Sequence, residues 1–169
     1  MITVRIARAA DADAISRIAV AVQTVHAAAL PRVFQPASDE SFPVDDVRAL
    51  MATPHQHFWL GLDDMQPVGY LYAEVQERPA TRIKRQASRF YVHEMGVRAA
   101  ERGRGVGTAL LRSARDFAAA HGLSHLVLDV WDFNARTQSF YERQGFTIMR
   151  HELWSAVDGV AGGHDDPAV

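Results

Sequence analysis

Apolar and polar residues alternate over residues 2–8, the period of two that turns one face of a strand inward. The period then changes. Ile15, Ile18, Ala19, Val22 and the pair Val25/His26 recur at helical spacing, so a helix with one buried face follows. Asp11 stands where its carboxylate can accept from the free N–H groups of the first turn, and Pro31 ends the helix. A loop-like stretch from Phe34 carries acids at Asp39, Glu40, Asp45 and Asp46, and a short helix is expected over 45–52. Residues 57–62 and 68–75 read as a hairpin turning at Asp63-Asp64.

The second half repeats this logic. A strand is expected over 90–97, and Val106, Ala109, Leu110, Ala114, Phe117 and Ala118 mark the buried face of a helix that Gly122 terminates. Residues 126–131 are nearly all apolar, as for a strand covered on both faces. A helix over 135–144 should stop at Gly145, with a last strand over 146–154. Small and polar residues beyond Ser155 read as a flexible tail, 156–169, behind a single domain of residues 1–155.

Composition changes this picture by exclusion. The 169 residues suit one domain, 48% are hydrophobic and 22% charged, and a formal net charge of −2 offers no global basic field for nucleic acid or an anionic membrane. Cysteine is absent, which removes disulfides, cysteine nucleophiles and thiolate metal sites and fits a reducing compartment. No secretory signal pattern and no membrane-length apolar run is visible, so a cytoplasmic protein is the expectation. His55 and His57 could share one strand face, but no third ligand accompanies them and no metal is expected. Trp59, Trp131 and Trp154 are most simply core or pocket-wall residues.

One basic segment, residues 78–89, holds Arg78, Arg82, Lys84, Arg85 and Arg89 without an acid. It reads as a solvated hairpin tip or as an arm for an anionic acceptor or a cofactor phosphate.

The chemistry concentrates at Arg102-Gly103-Arg104-Gly105-Val106-Gly107-Thr108, between a strand and a helix. Glycines let a backbone approach a phosphate, unpartnered N–H groups of a helix start point at it, and arginines add charge-assisted contacts. A Walker loop is excluded because no Gly-Lys pair occurs. The dinucleotide fingerprint G-x-G-x-x-G fails, since its third glycine would fall on Thr108 or Leu110, although Asp129 imitates the ribose-binding acid. The pattern [RQ]-x-x-G-x-[GA] is met by Arg102, Gly105 and Gly107.

That pattern resembles the pyrophosphate loop of the GNAT superfamily of acyl-CoA-dependent N-acetyltransferases. Residues 134–146, from Asn134 through Tyr141 to Gly145-Phe146, are similar to the family's second signature, with Thr137 where alanine is usual. His93-Glu94-Met95-Gly96-Val97 resembles its central strand. The resemblance implies an α/β fold of α+β type: a mixed, mostly antiparallel sheet with helices on both faces, in which the strands near 90–97 and 126–131 are parallel neighbours that splay to admit the cofactor. It implies acetyl-CoA as cosubstrate, bound by Met95, Val97, the loop from Arg102 through Gly103, Arg104, Gly105, Val106 and Gly107 to Thr108, and Asn134. Asn134 could equally serve as a helix cap.

Under this resemblance the N–H of Val97 is the leading oxyanion donor, and Tyr141 would stabilise the leaving sulfur. Glu94 is the expected base, because burial raises a carboxyl toward the useful range. His93 competes, being near neutrality unaided, and water could serve in place of either. Strand alternation would send His93 and Glu94 to opposite faces. A structural pairing of Glu94 with an arginine of the basic segment is the other reading. The partner is then an amine, small-molecule or peptide, selected by residues 24–45; a homodimer is compatible. A CoA-binding sensor without transfer activity is the rival.

Overall fold

Gly61 and Gly69 face each other across neighbouring strands, and what rests on them organises the molecule. A Cβ at Gly69 would stand 2.9 Å from both the Gly96 carbonyl oxygen and Val106 Cγ1, and one at Gly61 would stand 3.1 Å from Val106 Cγ1. Only glycine permits that approach. The computed structural model describes residues 1–155, so the tail expected at 156–169 lies outside the described residues.

The chain order is β1 (Ile2–Ile6), α1 (Ala12–Ala29), α2 (Val44–Met51), β2 (Gln56–Asp63), β3 (Gln66–Arg78), β4 (Ala87–Val97), α3 (Val106–Ala120), β5 (Leu126–Leu128) and α4 (Ala135–Arg143). Among the described residues five strands form one sheet, in sequence order. Neighbours from β1 to β4 are antiparallel, and β4 and β5 are parallel. This is the mixed, mostly antiparallel sheet that the sequence implied. Two compact units divide the chain, Met1–Asp129 and a second that starts at Val130.

Alternation along β4 assigns the two faces. A Cβ on Gly96 would meet Tyr70, Val22 and Ile18, so that position faces α1, whereas the Gly61 and Gly69 positions face α3. The α1 face carries a core of Ile15, Ile18, Val47, Phe58, Leu60, Tyr70 and Tyr72, all buried. Against the other face α3 buries Val106, Leu110, Leu111, Ala114 and Ala118. No helix among the described residues is long and apolar enough to cross a membrane.

Several expectations need correction. Asp11 does sit at the start of α1, but its carboxylate turns back to accept from Arg8 N at 2.7 Å and to grip both Arg5 nitrogens at 2.7 and 2.8 Å, so it ties the helix to β1 instead of capping it. β5 has three residues, all half-buried, instead of six covered on both faces. Residues 146–155 form no strand, and Ile148, Met149, Leu153 and Trp154 are exposed. Apolar residues fall on both parities there, so no single face is specified for burial. Trp59 is a core residue, whereas Trp131 and Trp154 are exposed.

Candidate active site

Glycine geometry shapes the loop before α3. Gly103 and Gly105 hold φ of 81° and 87°, left-handed values that favour glycine. Gly105 is the N-cap of α3 and offers no side chain to the free N–H groups, which leaves them available to an anion. Val106 fixes the depth of this helix start on the glycine pair of β2 and β3. Gly107 and Thr108, in the first turn, are half-buried.

The two arginines differ. Arg102 is exposed and its Nε donates to the Val97 carbonyl at 3.2 Å, which links the loop to the end of β4. Arg104 is committed to acids: it bonds Glu101 and lies 2.6 Å from Asp63, which also holds the N-terminal amine at 2.9 Å. These neighbours raise the Arg104 pKa, the Glu101 hydrogen bond most of all.

β4 meets β5 over only three pairs, Phe90 with Leu126, Tyr91 with Val127 and Val92 with Leu128. From His93 to Val97 its far side has no ladder partner among the described residues. The Arg98 N–H donates to Val68 O on β3, so alternation aims the peptide groups of Val97 and Met95 away from β3, onto that open side. Met95 and Val97 sit opposite Leu71 and Gly69.

The register contains a feature that sequence reasoning missed. Tyr72 pairs with Glu94 and Ala73 with Val92, so His93 is an extra residue with no partner across the ladder, a β-bulge. The bulge cancels the alternation that would have separated His93 from Glu94. His93 stacks on Tyr72 at 4.7 Å and bonds Glu74 at 3.0 Å, both on the α1 face, and Glu94 lies over Tyr70 on that same face. The two candidate bases therefore share one face.

Glu94 is half-buried, and desolvation pushes its carboxyl up to about 7, with contact from the Tyr70 hydroxyl pulling weakly the other way. Among the described residues the buried Tyr70 hydroxyl oxygen makes no full hydrogen bond. Burial first and the Glu94 charge second raise the Tyr70 phenol well above its ordinary value. Burial and the Tyr70 contact act on the Glu94 carboxyl, and no arginine is among the described groups that shift it.

Beside this pair runs a polar strip. Glu74 accepts from Gln56 at 2.9 Å, Gln76 at 2.9 Å and His93, and these bonds, Gln76 first, hold its carboxyl below the usual range despite partial burial. Tyr72 donates to Gln56 at 2.7 Å, Arg89 Nε to Gln76 at 2.8 Å, and Tyr91 to Asp129 at 2.5 Å. Arg89, counted with the basic tip, thus belongs to the strip; Arg82, Lys84 and Arg85 are exposed. Alternation of Tyr72, Glu74 and Gln76 on one strand was a legible hint of a polar continuation of the core face.

In the second unit, Asn134 caps α4, its Oδ1 accepting from Thr137 N at 3.2 Å. Tyr141 is buried beside Phe140 and Phe146, and burial raises its phenol to about 12. Gly145 takes φ 82° at the helix end.

Comparison with known proteins decides the family. The model of the acetyltransferase (GNAT) family matches residues 6–146. The chain belongs to that family. A curated relative, streptothricin acetyltransferase of Streptomyces lavendulae, is 40% identical over 60 residues, 36% of this chain and 32% of that protein. The match thus spans about a third of the relative's length. Among solved structures, the BH1408 protein from Bacillus halodurans, a tetramutant, superposes with a TM-score of 0.87 at 19% identity, covering 92% of this chain and 99% of that one. An aminoglycoside N-acetyltransferase, AAC(6')-Iy in complex with CoA, gives 0.68 at 13% identity, covering 94% and 95%. At such identities these two share the GNAT fold with this chain.

Proposed function

We propose that this GNAT protein transfers the acetyl group of acetyl-CoA to an amine of a small cationic acceptor by direct attack. The observation that carries the reading is the junction of a bare helix N-terminus with an open strand edge. The first N–H groups of α3 and the exposed Arg102 would hold the pyrophosphate, helped by Gly103, Gly105, Gly107 and Thr108. Arg104 would join only by leaving Asp63 and Glu101. The outward peptide groups of Met95 and Val97 fit the pantetheine arm, and the Val97 N–H is the donor for charge developing on the thioester oxygen. Asn134, already a helix cap, is a further cofactor contact in this reading.

Glu94 takes the proton of the acceptor ammonium: an N–H bond breaks, a carboxyl O–H forms, and the lone pair stays on nitrogen. A carboxyl near 7 suits that task at neutral pH. Tyr141 would hydrogen-bond the departing sulfur, and a phenol raised to about 12 remains O–H in the working range. Glu74, Glu94 and Asp129 on or beside the polar strip favour a cationic acceptor, as does the streptothricin-acetylating relative. The family match across 6–146 includes parts of both units, which supports one acetyltransferase domain over 1–155.

Thiol release from acetyl-CoA against a panel of amines tests the reading. Turnover with polycationic amines in preference to acidic ones is expected. Acetyl-CoA binding without turnover of any amine would leave a sensor instead.

A further inference from the structure

We propose that His93 orients the attacking amine and that Glu74 acts through it as a positioning residue, fixing its tautomer. The proposal rests on the acyl-transfer reading above and deepens it.

Three contacts immobilise the His93 ring. Tyr72 stacks on it with centroids 4.7 Å apart and planes at 18°, Tyr91 meets it edge-on at 4.8 Å, and Glu74 Oε2 lies 3.0 Å from Nε2. The carboxylate of Glu74 only accepts, and it also accepts from Gln56 at Oε1 and from Gln76 at Oε2. Nε2 must therefore carry the hydrogen, and Nδ1 of the neutral ring presents a lone pair. The side chain is 33% exposed, so the ring is reachable from solvent while its plane is set.

The bulge gives this arrangement its use. It turns His93 onto the face of Glu94, the neighbouring residue, so two acceptors of different kind serve one substrate face. A primary ammonium has three hydrogens. Glu94 removes one, and Nδ1 of His93 accepts a second in a hydrogen bond without taking it. The lone pair first lies along the broken bond; when the amine turns so that His93 Nδ1 and the carbonyl oxygen of the now protonated Glu94 each accept one of the two remaining N–H groups, the lone pair has one direction left, toward the thioester carbon. Orientation of this kind is a large part of what an active site contributes. No regular ladder could present adjacent residues in this way.

A double-mutant cycle tests it. His93→Phe keeps the ring and the stacking and removes both nitrogens; Glu74→Ala removes the tether. Each should lower kcat about 10- to 100-fold while the KM for acetyl-CoA stays within about twofold. The double variant should be no slower than His93→Phe alone, because Glu74 acts only through His93. An independent readout is the 15N ring spectrum of His93: wild type should show the Nε2–H form, and Glu74→Ala should lose that preference. A double variant whose losses multiply, or Glu74→Ala with an unchanged ring spectrum, overturns the role of Glu74. Full activity in His93→Phe beside an active wild type overturns the inference alone, whereas a wild type inert toward every amine overturns the acyl-transfer reading and this inference with it.

Discussion

Replacing Glu94 with Gln should make the protein slower and, above neutral pH, more stable. The carboxyl stands at about 7 in the fold against 4.5 ordinarily, with desolvation as the main cause. A raised carboxyl pKa means that the native state holds its proton longer than the unfolded chain does. Stability is therefore full below about 4.5, falls as pH rises through the interval, and levels off above about 7. At about 1.4 kcal/mol per pH unit the whole interval amounts to about 3 kcal/mol, and partial exposure reduces the expected cost to about 1–2 kcal/mol. Gln keeps the shape without the charge, so Glu94→Gln should match wild type near pH 4.5 and exceed it at pH 8.5 by about 3–6 °C in Tm for a chain of this size. In the same preparation, kcat should fall at neutral pH and recover partly as the amine deprotonates unaided. Thermal melts and thiol release at both pH values decide the matter. Equal stability differences at pH 4.5 and 8.5, or a variant less stable at pH 8.5, would mean that the carboxylate is satisfied and structural, and the argument for a strained base would fall.

Three further outcomes are expected. Gly105→Val should cost about 1–2 kcal/mol from its φ of 87° and should abolish most of the thermal stabilisation by acetyl-CoA; an unchanged ligand-induced Tm shift would make the loop an ordinary turn. Gly96→Ala should lose about 1–3 kcal/mol by denaturant melting, since its Cβ would stand 2.7 Å from Tyr70 Cε1, and wild-type stability would show that α1 yields easily. Tyr141→Phe should reduce kcat about 100-fold with CoA affinity unchanged and stability altered by less than about 1 kcal/mol; full activity removes it from the mechanism.

What could be read from the chain follows the range of the interactions involved. The faces of α1 and α3 were legible because Ile15, Ile18 and Ala19, or Leu110, Ala114 and Ala118, lie within a few turns of one another and all are buried. The loop was legible because Gly103 and Gly105 meet a local backbone demand. The His93 bulge was hidden, since a register shift is a property of β3 and β4 together and leaves no mark on β4 alone. Glu74 was passed over for the same reason: its three donors come from β2, β3 and β4. The strand expected over 146–154 rested on apolar content, which specifies burial without specifying a pairing partner.

Gly61 and Gly69 act as a mechanical stop for α3. Val106 comes to rest where its Cγ1 would touch a Cβ on either strand, so the height of the helix start above the sheet is set by two missing methyl groups. A methyl on Gly69 would lift that end of the helix, and the anion-facing N–H groups would rise with it relative to the peptide edge of β4. Two positions more than thirty residues upstream of the loop in sequence thus calibrate, under the proposed acyl-transfer function, the distance between the loop that would anchor one end of the cofactor and the Val97 N–H that would serve the other, and drift there would read out as a loss of catalytic alignment before it reads out as a loss of fold.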